Sequence, residues 1–148
     1  EGEKYSMIDI GTGTGLPLVE FMKTSNAKRV LAVDINEAYV KKAGARFKDS
    51  SVVEVKLLDF LKIDSEPKER FDVVFFGFSI MVIPDKVLAL EKAAKLVSDK
   101  GVILVFLTLY DKKNAFFEFA KPNLCSYQKD SDCIFRLAIL RRVLCQIY

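Results

Sequence analysis

Short runs of apolar, β-branched and aromatic residues alternate along the chain with segments whose apolar positions recur at helical spacing. The alternation predicts a repeating strand–helix order. Residues 7–10 form a first strand that ends in the cluster Gly11-Thr12-Gly13-Thr14-Gly15. Pro17 suits the first turn of the helix that follows, where a missing N–H costs nothing, and Leu18, Phe21 and Met22 give that helix one apolar face. Residues 29–33 are a second strand, closed by Asp34. Asn36 is placed to cap the next helix, which turns Val40, Ala43 and Phe47 to the core. Residues 52–58 make a third strand ending at Asp59, and residues 64–70, with Pro67 and five charges, read as a connector or a frayed short helix.

Residues 71–76 form a strand without alternation and residues 102–109 another apolar run, as strands covered on both faces do. Between them, Pro84 and Asp85 open a helix with Val87, Leu90, Ala94 and Val97 on one stripe, and Ser98-Asp99-Lys100-Gly101 is its expected stop. Parallel neighbours need crossovers, and the crossovers cover the faces of the sheet. The predicted fold class is therefore α/β: a doubly wound, mostly parallel sheet with helices on both faces. In the tail, residues 114–120 read as helical, and residues 123–128 with 133–140 as an antiparallel C-terminal hairpin around Lys129-Asp130-Ser131-Asp132. A terminal helix over residues 134–147 is the alternative, since the apolar positions there fit both periods.

Composition narrows the class. A chain of 148 residues, 51% hydrophobic and 29% charged, suits a single domain and argues against intrinsic disorder. Its longest charge-free stretch, residues 73–84, is shorter than the roughly 18 to 20 apolar residues of a membrane helix, and residues 1–6 do not resemble a secretory signal. Cys125, Cys133 and Cys145 match neither a CxxC pair nor a zinc knuckle, so a reduced, cytoplasmic compartment is expected, with no metal site. Absence of histidine excludes a Ser/His/Asp triad, a Cys/His pair and histidine-ligated metal. The net charge of +3 is too small to imply nucleic acid by itself. Residues 36–48 carry Lys41, Lys42, Arg46 and Lys48 against Glu37, which reads first as a solvated helix face and second as a polyanion contact.

In an open parallel sheet, ligands bind beyond the carboxyl ends of the strands, and the unusual residues fall at those ends. Gly11, Gly13 and Gly15 let the backbone turn tightly and let a ligand lie against bare main chain. Asp34, a carboxylate 19 residues beyond Gly15, suits a ribose diol, or else a helix cap. Asp59 and Phe60 suit the edge and face of a purine, or else the end of a strand and the core.

These residues resemble the class I S-adenosylmethionine-dependent methyltransferases. Asp9-Ile10-Gly11-Thr12-Gly13-Thr14-Gly15 is similar to their glycine loop, Val33-Asp34-Ile35 to their acidic loop and Leu58-Asp59-Phe60 to their adenine-contacting segment. Phe71-Asp72-Val73-Val74 is similar to their fourth strand, and Leu96-Val97-Ser98-Asp99-Lys100-Gly101-Val102 to the entry of the fifth. The resemblance implies S-adenosylmethionine as cofactor, with Gly11, Thr12, Gly13 and Gly15 against its methionine and ribose, Asp34 on the ribose hydroxyls and Ile35 touching adenine. It also implies Asp59 and Phe60 framing adenine and Gly77 and Phe78 lining the methyl-donor pocket. Asp9 is either part of that site or a structural acceptor for loop amides.

The resemblance implies methyl transfer by in-line displacement, in which holding the acceptor in place supplies much of the catalysis; no catalytic residue is assigned. Residues 77–84 lack the Asn/Asp-Pro-Pro-aromatic signature for base amines, a pyrimidine-directed Cys, paired glutamates for a guanidinium and an amine-activating acid. A small molecule or a protein side chain remains as acceptor. Ser79 is either an orienting hydroxyl or a backbone partner. Only six residues precede Met7, where the family has helices covering the cofactor, so the expectation is a single cofactor-binding core over residues 1–148 whose lid comes from a partner subunit or an absent segment. Two other functions compete: a non-catalytic, methyltransferase-like assembly subunit, and a nicotinamide dehydrogenase, against which Leu16 stands in place of the last fingerprint glycine.

Overall fold

A computed structural model describes residues 4–63, 69–108, 125–126 and 135–141. Alternating apolar runs become β1 (Tyr5–Ile10), β2 (Ala27–Asp34), β3 (Val53–Leu57), β4 (Phe71–Gly77) and β5 (Val97–Thr108). Helices α1 (Leu16–Met22), α2 (Glu37–Arg46) and α3 (Lys86–Leu96) lie between them, with a 3-10 turn over Phe60–Lys62, and β6 (Cys125–Ser126) and β7 (Phe135–Arg141) complete the described chain. The sheet order is β3-β2-β1-β4-β5-β7-β6. The first five strands pair in parallel, while β7 runs antiparallel to both β5 and β6. The doubly wound reading holds. Strand β7 takes the place of the alternative terminal helix over residues 135–141, and the expected hairpin turn at 129–132 and helix at 114–120 lie outside the described residues, as does most of the 64–70 connector.

Alternation on the central strands divides the core in two. Met7, Val73 and Phe75 join Leu18 and Phe21 of α1 on one face. Ile8, Ile10, Val74 and Phe76 meet Ala89, Leu90, Ala93 and Leu96 of α3 on the other. Covering both faces is why β4 shows no polar alternation from Val73 to Phe76. Asn36 caps α2 as expected, its Oδ1 accepting from the Ala38 and Tyr39 N–H groups. Asp85 caps α3 through the Leu88 N–H.

The expected stripe and stop of α3 need correction. Val87 is 55% exposed, and the buried stripe is Ala89, Leu90, Ala93 and Leu96. Val97 and residues 98–101 belong to β5, where the register jumps from Phe71↔Val97 to Val73↔Val102, so several extra residues bulge against one on β4. Asp72 holds this bulge. Its carboxylate accepts from Ser98 Oγ at 3.2 Å and from the Ser6 N–H and Oγ at 2.8 and 2.9 Å. These bonds hold its carboxyl below the ordinary range, the Ser6 backbone contact being the largest cause. Gly101 is required there, because a β-carbon would stand 2.7 Å from the Asp72 carbonyl oxygen. Polar residues that resemble a helix stop thus serve a strand bulge.

Candidate functional site

Strand order reverses between β1 and β4, and the segments that leave these two strands form one wall of a cavity of about 430 Å³. This is where an open parallel sheet places its ligand, and the volume lies within the range of small-molecule sites. Gly11, Gly13 and Gly15 all adopt positive φ, at 70°, 57° and 80°. The Gly11 and Thr12 N–H groups both donate to the Val33 carbonyl, at 2.9 and 3.0 Å, and tie the loop to the end of β2. A β-carbon on Gly13 would meet nothing within 4 Å, whereas one on Gly15 would stand 2.8 Å from the Phe47 ring. Gly13 therefore opens onto free space, and Gly15 is a packing position under α2.

Asp34 stands at the cavity wall between two loops. Its Oδ2 accepts from the Gly13 N–H at 2.8 Å and its Oδ1 from the Asn36 N–H at 2.9 Å. A carboxylate has about four lone-pair positions, so each oxygen retains capacity for one more donor. Ile35, 70% exposed, borders the same cavity. Asp59 lines it as well, with Oδ1 accepting from the Leu61 N–H at 3.1 Å as the cap of the 3-10 turn and Oδ2 3.2 Å from Lys62 Nζ. The neighbouring Phe60 is buried, edge-on to Phe76, yet part of its surface meets the cavity.

Beside the glycine loop, Gly77 and Phe78 leave β4. Phe78 has φ of 67°, and its N–H is forked between the carbonyls of Phe76 and Phe106 at 3.1 and 3.0 Å. Left-handed backbone at a bulky residue is strained, and such strain collects at functional sites. Ser79 proves to be a backbone partner: it is buried and its hydroxyl donates to the Ile10 carbonyl.

All eleven residues assigned from sequence lie around this cleft, but Asp9 and Gly15 do not line it. Asp9 is 1% exposed behind the loop, and burial pushes its carboxyl up from 3.8 to about 7; the Thr12 hydroxyl acts in the opposite direction and the Asp34 charge adds to the rise. Asp9 Oδ1 and Thr12 Oγ1 have no hydrogen-bond partner among the described residues. Asp9 Oδ1 is thus not the acceptor for loop amides that one reading expected.

Tyr39 of α2 lines the cavity and escaped the sequence reading, while Val82, Ile83 and Pro84 line it from the 77–84 segment in which acceptor contacts were expected. Their exposed apolar side chains carry no motif, although Tyr39 is 44% and Val82 80% exposed in a chain with a large apolar core. Arg46 is exposed with the rest of the basic face and also donates through Nε to the Thr14 carbonyl at 3.0 Å, which braces the glycine loop. Lys41, Lys42 and Lys48 are exposed, as that face required. No group of three or more metal-ligating side chains occurs among the described residues. None of their helices is long and apolar enough to cross a membrane.

The pieces fit a nucleoside-bearing amino acid: a diol-sized carboxylate at Asp34, bare backbone at Gly13 and apolar flanks at Ile35 and Phe60. A family model described as a methyltransferase domain matches residues 1–135. Among solved structures, the chain is similar to the CurJ carbon methyltransferase, with a TM-score of 0.77 and 11% identity over 95% of this chain and 49% of that one. It is similar to the N-methyltransferase NodS from Bradyrhizobium japonicum, solved with S-adenosyl-L-homocysteine, at 0.70 and 17% over 92% and 76%. It is also similar to SpnF, a [4+2]-cyclase, at 0.63 and 17% over 71% and 39%. At these identities the likeness is one of fold. The chain spans half or less of the CurJ and SpnF structures. No curated protein matches it.

Proposed function

The chain belongs to the methyltransferase-domain family, and from that premise we propose that its cleft binds S-adenosylmethionine and directs methyl transfer to a small-molecule or protein acceptor. One observation carries the reading: Asp34 is fixed by the Gly13 and Asn36 amides at the wall of a cavity that stays open above Gly13. Two preoriented carboxylate oxygens with spare lone pairs suit a vicinal diol.

The bound cofactor supplies a methyl group on a positively charged sulfur. The chain's own task is to hold and to exclude water. Gly11 to Gly13 offer a floor without side chains, while Ile35, Leu58 and Phe60 offer apolar surface for a purine. Gly77 and Phe78 line the cavity beside that floor. Neither histidine nor a free hydroxyl at Ser79 stands ready as a base, since the Ser79 proton is donated to Ile10. Catalysis by positioning suits an acceptor that loses its proton to water or needs to lose none.

Calorimetry with S-adenosylhomocysteine tests the reading. Binding that weakens at least tenfold in Asp34→Ala is expected. No binding by the wild-type chain, or tighter binding of NADH, overturns it. Release of S-adenosylhomocysteine from S-adenosylmethionine with an added acceptor separates an enzyme from a non-catalytic module that binds the cofactor only.

A further inference from the structure

Asp9 is an acid in an unusual place. It sits on β1 between Ala32 of β2 and Phe75 of β4, is 1% exposed, and immediately precedes the cavity-lining run Ile10-Gly11-Thr12. Buried carboxyls are ordinarily matched by donors or cations. Here Asp9 Oδ1 and Thr12 Oγ1 both lack a partner at ordinary hydrogen-bond distance among the described residues, although the Thr12 hydroxyl stands near enough to favour the ionised acid.

The surroundings offer no compensating charge either. From β2 the acting charge is Asp34, which is negative. Strand β4 presents Phe75, Leu18 and Phe21 of α1 pack on the same face, and Arg46 of α2, which braces the glycine loop, directs its Nε to the Thr14 carbonyl. Two acids therefore flank the glycine loop, Asp34 bonded to Gly13 on the cavity side and Asp9 buried behind it. A positive charge arriving in the cavity would be attracted to both, and low-dielectric surroundings strengthen that attraction. A neutral ligand of the same shape would not be.

The methyl donor and its product differ in this respect: both carry the same amino acid and nucleoside, but only the donor's sulfur is charged. We propose that Asp9 is a specificity-determining residue that favours the cationic methyl donor over its uncharged product, acting through its field from behind the glycine loop. The inference rests on the cofactor reading above. Charge loss at sulfur on transfer then removes the attraction to Asp9 and assists product release. Asp9 is held near 7 by burial, so the preference switches on across neutral pH as the acid ionises.

The test is the ratio of S-adenosylhomocysteine to S-adenosylmethionine dissociation constants, measured by calorimetry from pH 6 to 8.5. The donor's sulfonium makes its α-ammonium more acidic than the product's, a contribution that wild type and Asp9→Asn share, so the ratio is read in wild type against Asp9→Asn. A ratio rising about fivefold or more across this window relative to Asp9→Asn is expected. Equal pH profiles of the ratio in the two chains overturn the proposal. Should Asp9→Asn fail to fold, carboxyl-carbon NMR of the wild type decides the matter: the Asp9 titration should move down with the donor bound and stay in place with the product. Binding of both ligands with no such difference refutes the role of Asp9 alone, whereas binding of neither refutes the cofactor reading and this proposal together.

Discussion

The side chain of Ser79 occupies the space that a side chain on Gly11 would need: a β-carbon on Gly11 would stand 2.5 Å from Ser79 Cβ. The segment leaving β4 is thereby pressed onto the loop leaving β1, and the Ser79 hydroxyl seals the contact on the Ile10 carbonyl. Gly13, two residues on, has the same backbone sign and nothing near it. Gly11→Ala should therefore combine left-handed strain with a clash against Ser79 Cβ, an atom fixed to the backbone, lowering stability by about 3 kcal/mol or more. Gly13→Ala should carry only the strain, about 1 to 2 kcal/mol, yet abolish S-adenosylhomocysteine binding by filling the open cavity floor. Denaturant unfolding and calorimetry on the two variants check the contrast.

Asp34 serves the loops as well as the ligand. In Asp34→Asn, one oxygen becomes an amide donor facing the N–H of either Gly13 or Asn36, so one of two charge-assisted bonds is replaced by a donor–donor contact. Cofactor-product affinity should fall at least tenfold and stability by about 1 to 3 kcal/mol. Calorimetry and thermal melts separate the two effects, and an intact affinity would mean that the diol is bound elsewhere.

Burial of Asp9 also sets a pH dependence of stability. Its folded value of about 7 lies above its ordinary 3.8, so between those limits the folded chain retains a proton that the unfolded chain has released. Stability should fall as pH rises through that window and level off above it, by on the order of 4 kcal/mol from this group. Asp9→Asn should remove this slope and melt higher than wild type at pH 8. Melting curves of both chains from pH 5 to 8 provide the check.

Asp72 works in the opposite sense. Its folded carboxyl is held below the ordinary range by Ser6 first and Ser98 after it, so its stabilisation is present above the unfolded value and disappears as pH falls through the depressed folded one. Asp72→Asn should melt lower than wild type at pH 7, with the gap narrowing in acid. Gly101→Ala should be the more damaging change at the same bulge, by about 2 kcal/mol or more, because the added carbon meets the backbone carbonyl of Asp72 as well as the Val97 and Ser98 side chains, and the carbonyl cannot turn aside. Thermal denaturation at pH 7 ranks the two.

Periodicity and punctuation determined much of this protein. Largely apolar runs at 7–10, 29–33 and 71–76 predicted parallel strands because a strand covered by helices on both faces shows no regular alternation of apolar and polar residues. Gly11, Gly13, Asp34, Asp59 and Phe60 predicted a site because chain ends of such a sheet converge, whatever the details of packing. Local pattern did not determine which of two roles each residue fills. Asp59 caps a turn while it lines the cleft, Arg46 braces a loop from a face that composition marks as solvated, and residues 98–101 bulge in a strand although they resemble a helix stop. Those outcomes depend on partners distant in sequence: Thr14 for Arg46, and Asp72 for Ser98 and Gly101. The same holds for Asp9, whose place next to the glycine loop is evident in the chain, while its burial, its missing partner and its raised titration exist only once β2, β4 and α1 have closed around it and excluded water.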